Sequence, residues 1–177
     1  MHIALLGGSL RSDSLNRRFL FYLEGRLRAE GHEPVSFVGE DLRLPLYEDG
    51  LGVPEPVVRM HEKLRKAQGL ILVSPEYNAG IPAHLKNAVD WLSVQKPSPW
   101  TGLPVLLGAC SPGTLGGVMG WRPTLANMGA IAMPQVLSVP SADTNLDAAG
   151  APTDARTLSL TTTGLTTFLE LARRLRG

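Results

Sequence analysis

IALLGGSLRSDSLN, residues 3–16, sets a short apolar run directly before a glycine pair and a cluster of polar side chains. A run of this length bounded by glycine reads as a buried strand. SLNRRFLFYLEGRLRAEG follows, with Leu15, Phe19, Tyr22, Leu23 and Leu27 at helical spacing and Gly31 as a C-terminal stop. A strand, a polar turn and a helix start form the unit that binds anions in open α/β sheets. The spacing is not G-x-G-x-x-G, and no G-K-[ST] follows. The loop offers hydroxyls and one arginine in place of glycines and a lysine.

The rest of the chain repeats the alternation. Strands are expected at 34–39, 69–74, 103–110 and within 130–139, and helices at 57–67, 81–93, around Met119, Leu125 and Met128, and from Asp154 to Arg176. The stretch 41–56 is rich in proline and glycine and reads as a loop. Pro134 within the last strand points to an edge or a strand end. The final segment is rich in threonine, a strand former, but Leu158, Leu165, Phe168, Leu169, Leu171, Ala172 and Leu175 suit a packed helix better. Strict alternation implies an α/β fold, a parallel sheet with helices on both faces. The runs at 3–7, 69–74 and 103–109 are continuously apolar, as strands covered on both faces should be.

The totals agree with one domain over residues 1–177. A net charge of +1 with dispersed basic residues gives no field for nucleic acid or a membrane surface. The start MHIALLGGSL lacks a basic region and a long apolar core, so no secretory signal is expected. No run approaches the ~18 apolar residues of a membrane span. The expected location is the cytoplasm. Cys110 is the single cysteine, so no internal disulfide is available, and its place at the end of VLLGAC reads as a small buried hydrophobe. His2, His32, His61 and His84 are scattered, so no metal site is expected.

Ligands of open parallel sheets bind beyond the carboxyl ends of the strands. The loops there read GGSLRSDSLN, SPEYNAGIP and SPGTLGG. In the first, Ser9, Arg11, Ser12, Ser14 and Asn16 surround a helix start, where free N–H groups favour an anion. A helix cap would account for one of Ser12, Asp13 and Ser14, but not for the cluster. No lysine reaches a second phosphate and no acidic residue is placed for magnesium, which favours a monophosphate. In the second loop, Tyr77 and Asn78 could face a planar ligand, although a polar turn closing a strand is the plainer account of that loop alone. The glycines of the third could let a flat ligand approach. Taken together, the loops describe a phosphate pocket and a planar-ring pocket in one crevice, which matches flavin mononucleotide (FMN).

GSLRSDSLNRRF, SPEYNAGIPAHLKNAVDWLS and PVLLGACSPGTLGGVMGWRPTLANMGA resemble, in this order, the characteristic segments of the NADPH-dependent FMN reductase family. The resemblance implies a flavodoxin-like fold, a five-stranded parallel sheet of order 2-1-3-4-5. It implies that Ser9, Arg11, Ser14, Leu15 (through its backbone) and Asn16 hold the FMN phosphate. Pro75, Glu76, Tyr77, Asn78 and Gly80 would line the flavin ring, with Ser111 and the glycines after it at the ring's other edge. NADPH or NADH would be the co-substrate, and a quinone, free flavin, azo compound or metal oxyanion the acceptor. No side chain is expected as a catalytic acid, base or nucleophile. The family also implies a homodimer or homotetramer, which would place Lys86, Asn87 and Asp90 at a subunit contact with Trp91 and Leu92 near it. His84 departs from the small or apolar residue usual at its position. The rival readings are a flavodoxin-like electron carrier without nicotinamide turnover, which the near-neutral charge disfavours, and a phosphotransfer domain on the same scaffold.

Overall fold

The computed structural model describes residues 1–111 and 116–176. Five parallel strands, β1 (His2–Gly7), β2 (Glu33–Val38), β3 (Gly69–Val73), β4 (Pro104–Ser111) and β5 (Ile131–Pro140), lie in the order β2-β1-β3-β4-β5. This is the order of flavodoxin-like sheets. The helices are α1 (Leu15–Ala29), α2 (Glu55–Lys66), α3 (Ala83–Ser93), α4 (Gly116–Met119), α5 (Trp121–Asn127), α6 (Ala142–Asn145) and α7 (Ala155–Arg176).

Each central strand sends alternate side chains to opposite faces. Ala4, Leu6, Leu70, Leu72, Val105 and Leu107 pack under α2, α3 and α5, where Met60, Leu85, Trp91 and Trp121 are buried. Ile3, Leu5, Ile71, Val73 and Leu106 pack under α1 and α7, against Phe19, Leu23, Leu165 and Phe168. Covering both faces is why these runs show no polar alternation. Gly69 permits a close approach between sheet and helix: a Cβ there would stand 2.5 Å from Phe168 Cζ.

α1 ends at Ala29, and Gly31, two residues on with a φ of 78°, lets the chain leave the helix. β5 is an edge strand. Its register against β4 shifts between Val105 and Leu107, and Arg122 donates 2.8 Å hydrogen bonds to the Met133 and Pro134 carbonyls beside that shift. The threonine-rich tail is the 22-residue helix α7. Asp154 starts it by accepting hydrogen bonds of 2.8 Å from both the N–H and the hydroxyl of Thr157, which hold its carboxyl below the usual range. Leu158 and Leu175 remain on the outer face of α7. The single helix expected after β4 is two pieces, α4 and α5, with Gly120 preceding the second, and Met119 points outward.

Two residues expected near a subunit contact are internal to the chain. Trp91 and Leu92 are fully buried, and the Trp91 indole N–H donates to the Pro45 carbonyl at 2.8 Å. Asn87 is also turned inward. Its amide donates to Pro45 O at 2.9 Å and accepts from the Tyr47 N–H at 2.8 Å, pinning the long loop after β2 onto α3. A side-chain amide can serve a strand-free backbone in this way, and a sequence pattern alone does not reveal it.

Candidate functional site

The site lies at the carboxyl edge of β1, β3 and β4. The β1–β3 ladder runs one residue past Gly7, with the Gly8 N–H donating to Val73 O at 2.9 Å. Gly8 then passes between α3 and the second loop: a Cβ there would overlap Leu85 and stand 2.9 Å from Pro75 Cδ. That contact requires glycine, and it sets the two loops side by side.

A cleft of about 260 Å3 opens between them. Its wall brings together Ser9, Arg11, Ser14, Leu15 and Asn16 from the first loop with Pro75 and Tyr77 from the second. Asp13 and Cys110 complete it, two residues the sequence reading did not place there. Ser9 is buried, and its hydroxyl accepts the Arg11 N–H at 3.4 Å. Ser14 stands at the N-cap of α1 in extended conformation and makes no side-chain cap hydrogen bond. A plain helix cap is therefore not what this serine provides. Leu15 and Asn16, from the first turn of α1, line the cleft, and a helix start carries unpaired N–H groups and a partial positive charge.

Asn16 has a further task. Its Nδ2–H donates to Cys110 O at 3.1 Å, and its Oδ1 accepts the Cys110 N–H at 2.9 Å. β3 pairs with β4 only as far as the bond from Ser74 N–H to Gly108 O, at 2.8 Å. Two residues on, Cys110 presents its backbone groups to the same side and finds the Asn16 carboxamide where another strand residue would be. Its thiol is buried, which pushes its pKa up to about 12.

Arg11 is exposed and forked onto Asp13, with Nε–Oδ1 of 3.0 Å and Nη2–Oδ2 of 2.7 Å. This bond holds the arginine pKa up and the aspartate pKa down. The neighbouring Arg17 stacks over Phe21, and Arg18 donates to Asp147 O at 3.1 Å, so both are engaged away from the wall.

In the second loop, Tyr77 and Gly80 exchange backbone hydrogen bonds of 3.1 and 2.9 Å around Asn78 and Ala79. Asn78 and Ala79 have φ of 52° and 58°, the paired left-handed geometry of a tight hairpin turn. Asn78 and Gly80 thus shape this turn, and Tyr77 is held half-exposed at the cleft mouth. The Glu76 carboxylate accepts the Gly117 N–H at 2.7 Å. A Cβ at Gly117 would stand 2.7 Å from Gly80 O, so this glycine serves loop-to-loop packing. His84 donates from Nε2 to Gly8 O at 2.8 Å, and its ring lies 5.8 Å from that of Tyr77. It ties the first loop to the second, a role that the sequence pattern does not announce. The Ser111 side chain and residues 112–115, with Gly113 among them, lie outside the described residues.

A hydroxyl-lined helix start with one guanidinium, beside an aromatic ring and a buried proline, can hold a phosphate at one end and a flat ring at the other. Among the described residues no cluster of three metal-ligating side chains occurs.

The family profile described as NADPH-dependent FMN reductase matches residues 1–144. A quinone reductase of Escherichia coli K12 is 36% identical over 121 residues, which cover 66% of this chain. The chain spans 63% of that relative's length. An NAD(P)H-dependent FMN reductase of Pseudomonas aeruginosa is 33% identical over 183 aligned positions, 97% of this chain and 95% of that one. Among solved structures, a flavoenzyme NAD(P)H:(acceptor) oxidoreductase from Paracoccus denitrificans superposes with a TM-score of 0.86 at 25% identity, covering 98% of both chains. On the strength of a match across more than three quarters of its length, and of a fold and cleft of the matching kind, the chain belongs to the NADPH-dependent FMN reductase family.

Proposed function

We propose that the protein is an FMN-dependent NAD(P)H oxidoreductase that reduces a small acceptor, of which a quinone is the first candidate. The observation that carries this is the meeting, in one cleft, of an α1 start lacking a side-chain cap at Ser14, the Arg11 guanidinium, and the Pro75–Tyr77 wall. FMN fits these residues: a dianionic monophosphate matches one guanidinium, hydroxyls and helix-start N–H groups, whereas a triphosphate would lack counter-charge.

When bound, FMN supplies the redox chemistry, taking hydride from the nicotinamide and passing electrons to the acceptor. The chain binds and orients. Ser9, Arg11, Ser14 and the backbone of Leu15 and Asn16 hold the phosphate. Pro75, Glu76, Tyr77, Asn78 and Gly80 form the ring side, with Ser111 at its far edge. The turn at Asn78–Ala79 and the His84 bridge keep the ring wall in register with the phosphate loop. No acid, base or nucleophile from the chain is required. An open cleft that binds donor and acceptor in succession gives ping-pong kinetics and tolerates quinones, free flavins, azo compounds and metal oxyanions alike.

The protein works in the cytoplasm as a homodimer or homotetramer. No helix among the described residues is long and apolar enough to cross a membrane. Leu46 stands 80% exposed beside a groove shared with Tyr47, Ile81, Lys86 and Asp90, which supports a contact between copies there. Sedimentation that finds only monomer at micromolar concentration removes this assignment.

The deciding experiment is the absorbance spectrum of the purified protein, followed by anaerobic NADPH and then a quinone. The reading requires a yellow protein that bleaches with NADPH and recovers with the quinone. A bound flavin that stays oxidised under NADPH would leave an electron carrier. A colourless protein that takes up no FMN would refute the cofactor assignment.

A further inference from the structure

Arg11 is the one cation on the cleft wall among the described residues, and its fork is already filled. Nε and Nη2 donate in parallel to the two carboxylate oxygens of Asp13, at 3.0 and 2.7 Å. This side-on face is the one an arginine presents to two phosphate oxygens. Asp13 also stands immediately before the N-cap Ser14, where a negative charge gains from the helix start. Its carboxylate thus holds both attractions that a phosphate would use. A phosphate entering the cleft has to displace the carboxylate from the fork or share the guanidinium with a like charge.

We propose that Asp13 is an internal competitor for the FMN phosphate and that it sets how tightly the cofactor is held. The inference rests on the reading of this cleft as an FMN site. Asp13 makes the phosphate end of the site self-neutralised when empty, so each binding event exchanges one anion for another on Arg11. The exchange lowers FMN affinity and leaves the ring side untouched. Asp13 is in this sense a specificity-determining residue, because it narrows the margin by which a phosphorylated flavin is preferred over riboflavin.

The test is titration of the apoprotein with FMN and, separately, with riboflavin, followed by quenching of flavin fluorescence. Asp13→Asn keeps the size and one acceptor oxygen but removes the charge, and Asp13→Ser keeps a capping residue type if the amide misfolds the loop. Exposed ion pairs of this kind are weak, so the expected gain is about three- to fivefold in FMN affinity, with riboflavin affinity unchanged. In an Arg11→Ala background the same substitution should no longer tighten FMN, because the contested fork is gone. Unchanged or weakened FMN binding in both Asp13 variants overturns the proposal, and weakening would mean that Asp13 props Arg11 in place. A wild-type protein that binds FMN and riboflavin equally, or neither, overturns the phosphate site itself, a result separable from any outcome at Asp13.

Discussion

The substitution Asn16→Ala tests how the loop after β1 is attached to the sheet. Asn16 is 7% exposed, and both ends of its carboxamide are spent on Cys110. Truncation leaves one backbone N–H and one C=O of β4 without their partner. A buried group left unpaired costs about 1–3 kcal/mol, but the adjoining cleft admits water that recovers part of this. A net loss of about 2–3 kcal/mol follows. For a chain of 177 residues each kcal/mol moves the midpoint by about 2–4 °C, so Tm should fall by about 5–10 °C. The assay is thermal melting of the apoprotein by far-ultraviolet circular dichroism, with a urea titration to confirm that the slope is unchanged. Ser12→Ala, at an exposed position of the same loop, is the control and should stay within about 0.5 kcal/mol of the parent. Asn16→Asp keeps the acceptor for the Cys110 N–H but turns a carboxylate toward the Cys110 carbonyl, and should be no more stable than the alanine variant. A midpoint shift under 2 °C for Asn16→Ala would refute the idea that this side chain completes the ladder.

Arg11→Ala should weaken FMN binding about tenfold or more while sparing riboflavin, measured by the same fluorescence titration. Ala79→Gly should stabilise the protein by about 1 kcal/mol in urea, because Ala79 is held at a φ of 58° where a Cβ is unfavourable. For Cys110, burial raises the thiol pKa from 9.0 to about 12, so the folded state keeps its proton longer than the unfolded chain does. That contribution is fully present below pH 9.0 and is lost as pH rises toward about 12, at about 1.4 kcal/mol per pH unit. Cys110→Ala should show a flatter fall in stability over that window than the parent, and identical slopes would contradict the burial argument.

The sheet was legible because its strands are covered on both faces. Ile3 to Leu6 and Leu70 to Val73 carry no polar side chain that could have pointed them elsewhere, and the helices between them left one simple way to wind the chain. The residue types crowded at one helix start pointed to the cleft wall that Ser9, Arg11, Ser14, Leu15 and Asn16 form. What escaped were pairings between distant residues. Asn16 reads as a phosphate donor until Cys110 is seen beside it, and Asn87 reads as a subunit contact, with Trp91 near it, until the carbonyl of Pro45 is seen against both. Local chemistry hid the rest. Asn-Ala at 78–79 lacks the glycine that announces a left-handed hairpin turn, so only the backbone reveals it. Asp13 lay in plain view as a possible cap, and its grip on Arg11 depends on a side-chain rotamer that no spacing predicts.

The bond between Asn16 and Cys110 also dictates a schedule. The two residues are 94 positions apart, and a ribosome adding about 5–20 residues per second needs roughly 5–20 s to travel from one to the other. Until β4 has left the exit tunnel, the loop after β1 has its contacts to Val73, Pro75 and His84 but lacks the pairing with Cys110. The docking of this loop is therefore completed only in the second half of synthesis. The pairing arrives as a late seal on strands β1 to β3, and an mRNA truncated before residue 110 would yield a loop that lacks it.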